Sequence, residues 1–136
     1  MNTGPNANPH AGEPDTLISR QWQNYSPGHR DRMNLALHAL SVPLFWAGNV
    51  GVVAVAITRS PAPAVIGIAA MLVALLAQGR GHRNEEVKPQ PFRGPFDFVV
   101  RFLAEQWLTF PRYVVTGGFA RAWRSARASA GGARRA

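Results

Sequence analysis

Two long apolar blocks separated by a short break constrain this chain more than any other feature. The first, Leu35 to Thr58, reads LALHALSVPLFWAGNVGVVAVAIT. As a helix rising ~1.5 Å per residue it extends about 36 Å, enough to cross a ~30 Å hydrocarbon core. His38 and Asn49 are its costly polar groups, and Pro43 is a kink that membrane helices tolerate when neighbours satisfy the freed carbonyl. Arg59-Ser60-Pro61 reads as a tight turn, and a second block runs from Ala62 to Ala77 until Gln78-Gly79-Arg80-Gly81-His82 ends it. The pattern predicts an antiparallel helical hairpin. Its second arm is short, so the polar residues after it should lie near the headgroups or in a locally thinned bilayer.

With 136 residues, one architecture must account for the whole chain. Residues 1–15 are rich in Asn, Pro, Gly and Ala and read as a disordered tail, with His10 assigned no role. Residues 16–118 form a single helical domain. It opens on a short stretch, Thr16 to Tyr25, whose apolar groups share one face and suit an interfacial helix. A Pro-rich, charged linker from Asn84 to Pro95 precedes a third apolar segment, Phe96 to Val115, in which Asp97, Arg101 and Glu105 recur every four residues. That stripe reads as a structural ion ladder on an amphipathic helix that lies on a membrane surface or walls a buried site. Residues 119–136, after Gly117-Gly118, form a basic tail that is surface-lying or disordered. The fold class expected is therefore all-α: an integral membrane hairpin plus a third, membrane-associated helix.

The net charge of +8 is carried by arginine, since Lys88 is the only lysine. Apolar runs long enough to span a bilayer favour an anionic lipid surface over nucleic acid as the partner. Arg20, Arg30 and Arg32 precede the first block and Arg80, Arg83, Lys88 and Arg93 follow the second, whereas Arg59 alone lies in the turn. The positive-inside rule then puts both termini in the cytoplasm. With no cysteine, any metal must be held by imidazole, carboxylate or water.

A hairpin brings the start of one arm beside the end of the other, so His38 and His82 should share one depth. His29, Asn34, Gln78 and Glu86 stand around them in sequence, a density of ligand-capable groups unusual for a membrane protein. Imidazole with carboxylate suits Fe(II), Zn(II) or Mn(II). His29 and His38 are nine residues apart, about 900° on one continuous helix, which would point them in opposite directions. Two helix starts are open: Ser26-Pro27, which produces that conflict, or a start near Asp31, which leaves His29 in a loop able to fold back. By default the glutamates of the linker, Glu85 and Glu86, are solvated, and Trp22, Trp46, Trp107 and Trp123 are anchors or packing residues.

The stretch Tyr25-x3-His29-x4-Asn34-x3-His38-x4-Pro43, followed by Gln78-x2-Gly81-His82-x3-Glu86-x2-Pro89, resembles the family of small membrane proteins typified by the fungal 2-hydroxy fatty acid dioxygenase. PFRGPFDFVVRFLAEQWLTFPRYVVTGGFARAWR resembles a bacterial branch of that family, so the likeness covers roughly Tyr25 to Arg124. It implies an Fe(II)-dependent dioxygenase that uses molecular oxygen to remove one carbon from a 2-hydroxy fatty acid in α-oxidation. His29, His38 and His82 would be the metal ligands and Glu86 a ligand or a partner of one. Asn34 and Gln78 would hydrogen-bond ligand imidazoles, and Arg80 or Arg83 could hold the substrate carboxylate. The chain departs from the family pattern at Ala39-Leu40-Ser41 and at Gln90, which bears on pocket shape and substrate. The alternative is a non-enzymatic membrane scaffold or lipid-binding protein whose polar cluster only organises the hairpin.

Overall fold

The computed structural model describes residues 16–132, with side chains through residue 126; the tail 1–15 with His10 lies outside the described residues. Every regular element among them is helical: α1 (Leu17–Gln23), α2 (Arg32–Thr58), α3 (Ala62–His82), α4 (Pro95–Ala104), a π-helical turn (Glu105–Thr109), α5 (Phe110–Val115) and α6 (Gly118–Gly132). Helices α2 and α3 are long and apolar enough to cross a membrane. Only 22% and 17% of their most apolar stretches are buried, leaving Val50, Ile57, Ile66 and Leu76 among the side chains that face outward.

The hairpin reverses at Arg59, whose φ of 56° ends α2 in the left-handed region. Along the two arms Gly51 meets Pro63, Gly48 meets Gly67, Ser41 meets Gln78 and Asn34 meets Gly81, an antiparallel register. Glycine is required at these crossings. A Cβ on Gly51 would stand 2.7 Å from the Pro63 carbonyl oxygen, one on Gly48 2.6 Å from that of Gly67, and one on Gly67 would strike the Gly48 carbonyl. Such backbone-to-backbone approach leaves no flexible side chain to give way.

The second arm is longer than the apolar block predicts. Gln78 to His82 continue α3 rather than ending it, because glycine in a helix costs only about 1 kcal/mol. At Gly81 the missing side chain admits Asn34, which would otherwise collide with a Cβ.

The third apolar segment is one helical path interrupted by the π-helical turn. There the N–H of Phe110 donates to the Glu105 carbonyl, five residues back. In the same register Pro111 has no N–H to give the Gln106 carbonyl, and Trp46 Nε1 fills that vacancy at 3.1 Å from α2. Gln106 and Gln78 exchange amide hydrogen bonds at 2.7 and 3.0 Å, and Gln78 also donates to Ser41 Oγ at 3.0 Å. All three polar side chains are buried, so this network docks the segment onto the hairpin.

Helix α1 packs on α4 and the π-helical turn, with the Arg112 guanidinium 4.1 Å from the Trp22 ring centre. The residues after Gly117 form α6, whose Phe119, Ala122 and Trp123 pack against the core containing Tyr25, Leu35 and Phe110. An amphipathic helix rather than a loose tail results, because Ala122 and Trp123, three and four residues after Phe119, share its face.

Substitution at the hairpin crossing gives a direct check. Gly67→Ala should cost about 1–3 kcal/mol by overpacking. Gly79→Ala, whose Cβ would meet nothing within 4 Å, should be neutral or stabilising by up to about 1 kcal/mol. Equal thermal unfolding midpoints for the two variants would contradict the packing described.

Candidate metal centre

Helix α2 starts at Arg32 because Asp31 caps it, its carboxylate accepting from Asn34 N at 2.9 Å. Of the two starts open in the sequence, this one leaves His29 in the connection after α1, free to turn back. Glu85 fixes that connection to the end of α3. Its buried carboxylate accepts from the backbone N–H groups of Arg30 and Asp31 at 3.0 to 3.1 Å and from Asn34 Nδ2 at 2.7 Å. His29 is thereby delivered to the end of the hairpin where His38 and His82 already stand together.

Ligand-capable atoms of His29, His38 and His82 all lie within 4.8 Å of one another. His29 Nδ1 faces the Tyr25 carbonyl at 2.8 Å and His38 Nδ1 faces the Asn34 carbonyl at 3.1 Å. A carbonyl only accepts, so in the neutral rings the proton belongs on Nδ1 and each Nε2 presents a lone pair. Those two Nε2 atoms are 3.5 Å apart. Two lone pairs at that distance repel unless a proton or metal cation sits between them. Burial pushes His29 down to about 3, helped by the neighbouring His38 and His82 and opposed by Glu105, so this ring is neutral near pH 7 and available as a ligand.

The carboxylate beside these rings is Glu105. Its Oε1 lies 3.4 Å from His38 Nε2 and 3.7 Å from His29 Nε2, and its side chain is 12% exposed. The Tyr25 hydroxyl donates to Oε1, and Gln21 Nε2 donates to Oε2 at 3.3 Å. Burial alone would raise the Glu105 carboxyl, but a proton on His38 directed at it, positive charge on the adjoining His29 and the Tyr25 hydroxyl outweigh it and hold the group below the usual carboxylate range; with the rings neutral, a cation at the centre would take the place of those protons. The Tyr25 hydroxyl is shifted well upward by burial and by Glu105, so it remains a donor.

Several expected roles are corrected by this geometry. Glu86 is exposed and outside the cluster, because its neighbour Glu85 takes the buried, backbone-binding position. The ion ladder is partial: Asp97 and Arg101 pair at 3.5 Å, but Glu105 turns to the histidines. The side chains of Asn34 and Gln78 are spent on Glu85 and Gly28, and on Ser41 and Gln106, respectively; Asn34 orients His38 through its backbone carbonyl instead. Arg80 and Arg83 are both exposed, and of the two it is Arg83 that lines the adjoining cleft.

That cleft, about 640 Å³, has His29, His82 and Glu105 in its lining. Leu17, Leu75, Phe98 and Phe102 supply apolar walls, and Arg83, Lys88 and Arg93 supply positive charge. No family model, curated protein or solved structure matches the chain.

The paired linker glutamates separate by effect. Glu85→Ala strips two backbone donors and Asn34 of their acceptor and should cost about 2–4 kcal/mol in denaturant unfolding. Glu86→Ala, at an exposed site, should stay within about 0.5 kcal/mol. Equal losses would contradict the assignment of Glu85 as the clasp.

Proposed function

We propose that this protein is a membrane-bound, Fe(II)-dependent dioxygenase that shortens 2-hydroxy fatty acids, or related lipid acids, by one carbon. The observation that carries the reading is the convergence of three imidazoles beside a carboxylate at the foot of an apolar cleft. His29, His38 and His82 would hold the metal. Nitrogen and oxygen donors without thiolate fit iron, and the likeness of the histidine-spaced motifs to the dioxygenase family favours it over zinc or manganese.

The apolar exteriors of α2 and α3 suit a bilayer, and arginines flanking the hairpin's open end favour a cytoplasmic site with both termini on that side. A lipid acid would lay its tail along Leu17, Leu75, Phe98 and Phe102 and bring its carboxylate past Arg83, Lys88 and Arg93. Fe(II), if held by these histidines, would supply the activation of dioxygen that this oxidation needs. The balance closes without an external reductant. One dioxygen converts a 2-hydroxy acid to the acid one carbon shorter, carbon dioxide and water, with C2 oxidised to the new carboxyl. Carbonyl partners at His29 and His38 hold each ring's Nδ1 and so fix which nitrogen faces the centre.

Iron-loaded protein should consume oxygen when given a 2-hydroxy fatty acid and release the product one carbon shorter, read by mass spectrometry. His38→Ala and His82→Ala should each lose bound iron and activity. Iron retained at wild-type stoichiometry in both variants would refute this site. Iron-loaded wild type that leaves oxygen and the 2-hydroxy acid untouched would refute the reaction and favour a scaffold or lipid-binding role.

A further inference from the structure

Three atoms at the centre form a nearly equilateral triangle: His29 Nε2 to His38 Nε2 is 3.5 Å, His38 Nε2 to Glu105 Oε1 is 3.4 Å, and His29 Nε2 to Glu105 Oε1 is 3.7 Å. The point equidistant from all three lies about 2.0 Å from each, the length of a bond from a divalent transition metal to imidazole nitrogen or carboxylate oxygen. Each atom is an acceptor. The Nδ1 atoms of both rings are committed to carbonyls, and the Glu105 oxygen that faces them accepts from Tyr25. Among the described residues the donor reaching the triangle is the Tyr25 hydroxyl, which serves Oε1.

We propose that Glu105 is a direct metal ligand, the carboxylate arm of a set completed by His29, His38 and His82, with Tyr25 and Gln21 as its positioning residues. The inference rests on the three-histidine reading above and adds to it a residue from the third apolar segment. Its support is independent of that reading in one respect: the carboxylate is held in place without a metal. Tyr25 occupies one lone pair of Oε1 and Gln21 occupies Oε2, which leaves a second Oε1 lone pair for a cation. Gln21 Nε2 also donates to the Arg101 carbonyl at 3.1 Å, so its amide orientation is set by two acceptors. The π-helical turn begins at Glu105 itself, and such turns re-aim side chains within otherwise α-helical segments. A carboxylate in the set also lowers the net charge of a buried divalent ion, which neutral imidazoles alone do not.

The test uses full-length protein in detergent, stripped of metal and titrated with Co(II), whose visible absorption reports the donor set, and separately with Fe(II) under anaerobic conditions. Glu105→Gln, nearly isosteric and uncharged, should weaken binding at least 10- to 100-fold and change the Co(II) spectrum. Glu105→Asp should recover part of the affinity, and Tyr25→Phe should weaken binding several-fold with a smaller spectral change. Glu86→Gln should match wild type in both readouts.

A wild-type measurement decides the matter if Glu105→Gln fails to fold. Infrared difference spectra of protein labelled with ¹³C-glutamate should show a carboxylate stretch that shifts on metal addition. Absence of that shift, or wild-type affinity and spectrum in folded Glu105→Gln, overturns the inference while leaving the three-histidine site standing. Failure of wild type to bind any metal overturns both.

Discussion

The site depends on how closely two helix backbones approach along the hairpin. At Gly48, Gly51 and Gly67 the arms meet carbonyl to Cα, with no side chain interposed. At the far end, Gly81 gives Asn34 the same room, and close by on each arm stand the groups that matter: His38 one turn after Asn34, and His82 next to Gly81. In a bilayer small residues would serve this purpose well, because packing there rests on van der Waals contact and hydrogen bonds rather than on expulsion of water from between the helices. Spread the arms by the width of one methyl group and the imidazoles separate with them.

Buried hydrogen bonds then place the remaining parts. Gln78, Gln106 and Ser41 lock the third apolar segment onto the hairpin, and Trp46 takes up the carbonyl that Pro111 cannot serve. That docking brings Glu105 to the rings. On the other side, Glu85 gathers the N-terminal connection and brings in His29. A buried amide or carboxylate without partners would cost several kcal/mol, so each of these networks holds one geometry and resists alternatives. Four separate parts of the chain therefore converge at one end of the hairpin: the connection after α1, the start of α2, the end of α3 and the π-helical turn.

Much of this was legible in the sequence because it is written in periodicity. The two apolar blocks and the Arg59-Ser60-Pro61 break predict the hairpin, and chain reversal alone places His38 near His82. Less legible was anything set by tertiary contact. Glu85 and Glu86 are adjacent and chemically identical, and only the fold determines which one turns inward. Glu105 sits in a regular four-residue charge pattern that suits an ion ladder, and the π-helical turn that changes its aim follows from Pro111 and the docking of Gln106. Pro111 in the middle of an apolar helix, six residues beyond Glu105, was the available signal. The sequence pattern ends α3 short because Gly79 and Gly81 look like helix breakers, whereas Gly81 is there to be approached by Asn34. The pairing of Asp31 as cap with Asn34, which frees His29 from the helix, was one of two starts the sequence allowed.

Read together, the clasp at Glu85, the amide pair and the glycine crossings describe a rigid frame around three lone-pair-bearing rings and a carboxylate, opening to a cleft with apolar walls and a cationic rim. On the proposed function that frame does the positioning and a bound metal does the oxidation. X-ray absorption on the iron-loaded wild-type protein addresses the central claim most directly, because imidazole rings give a characteristic multiple-scattering pattern. The expected result is tightly bound iron with scattering from three imidazoles and nitrogen or oxygen donors at ~2.0–2.2 Å. Iron that does not bind, or that binds with one imidazole or none, would contradict it.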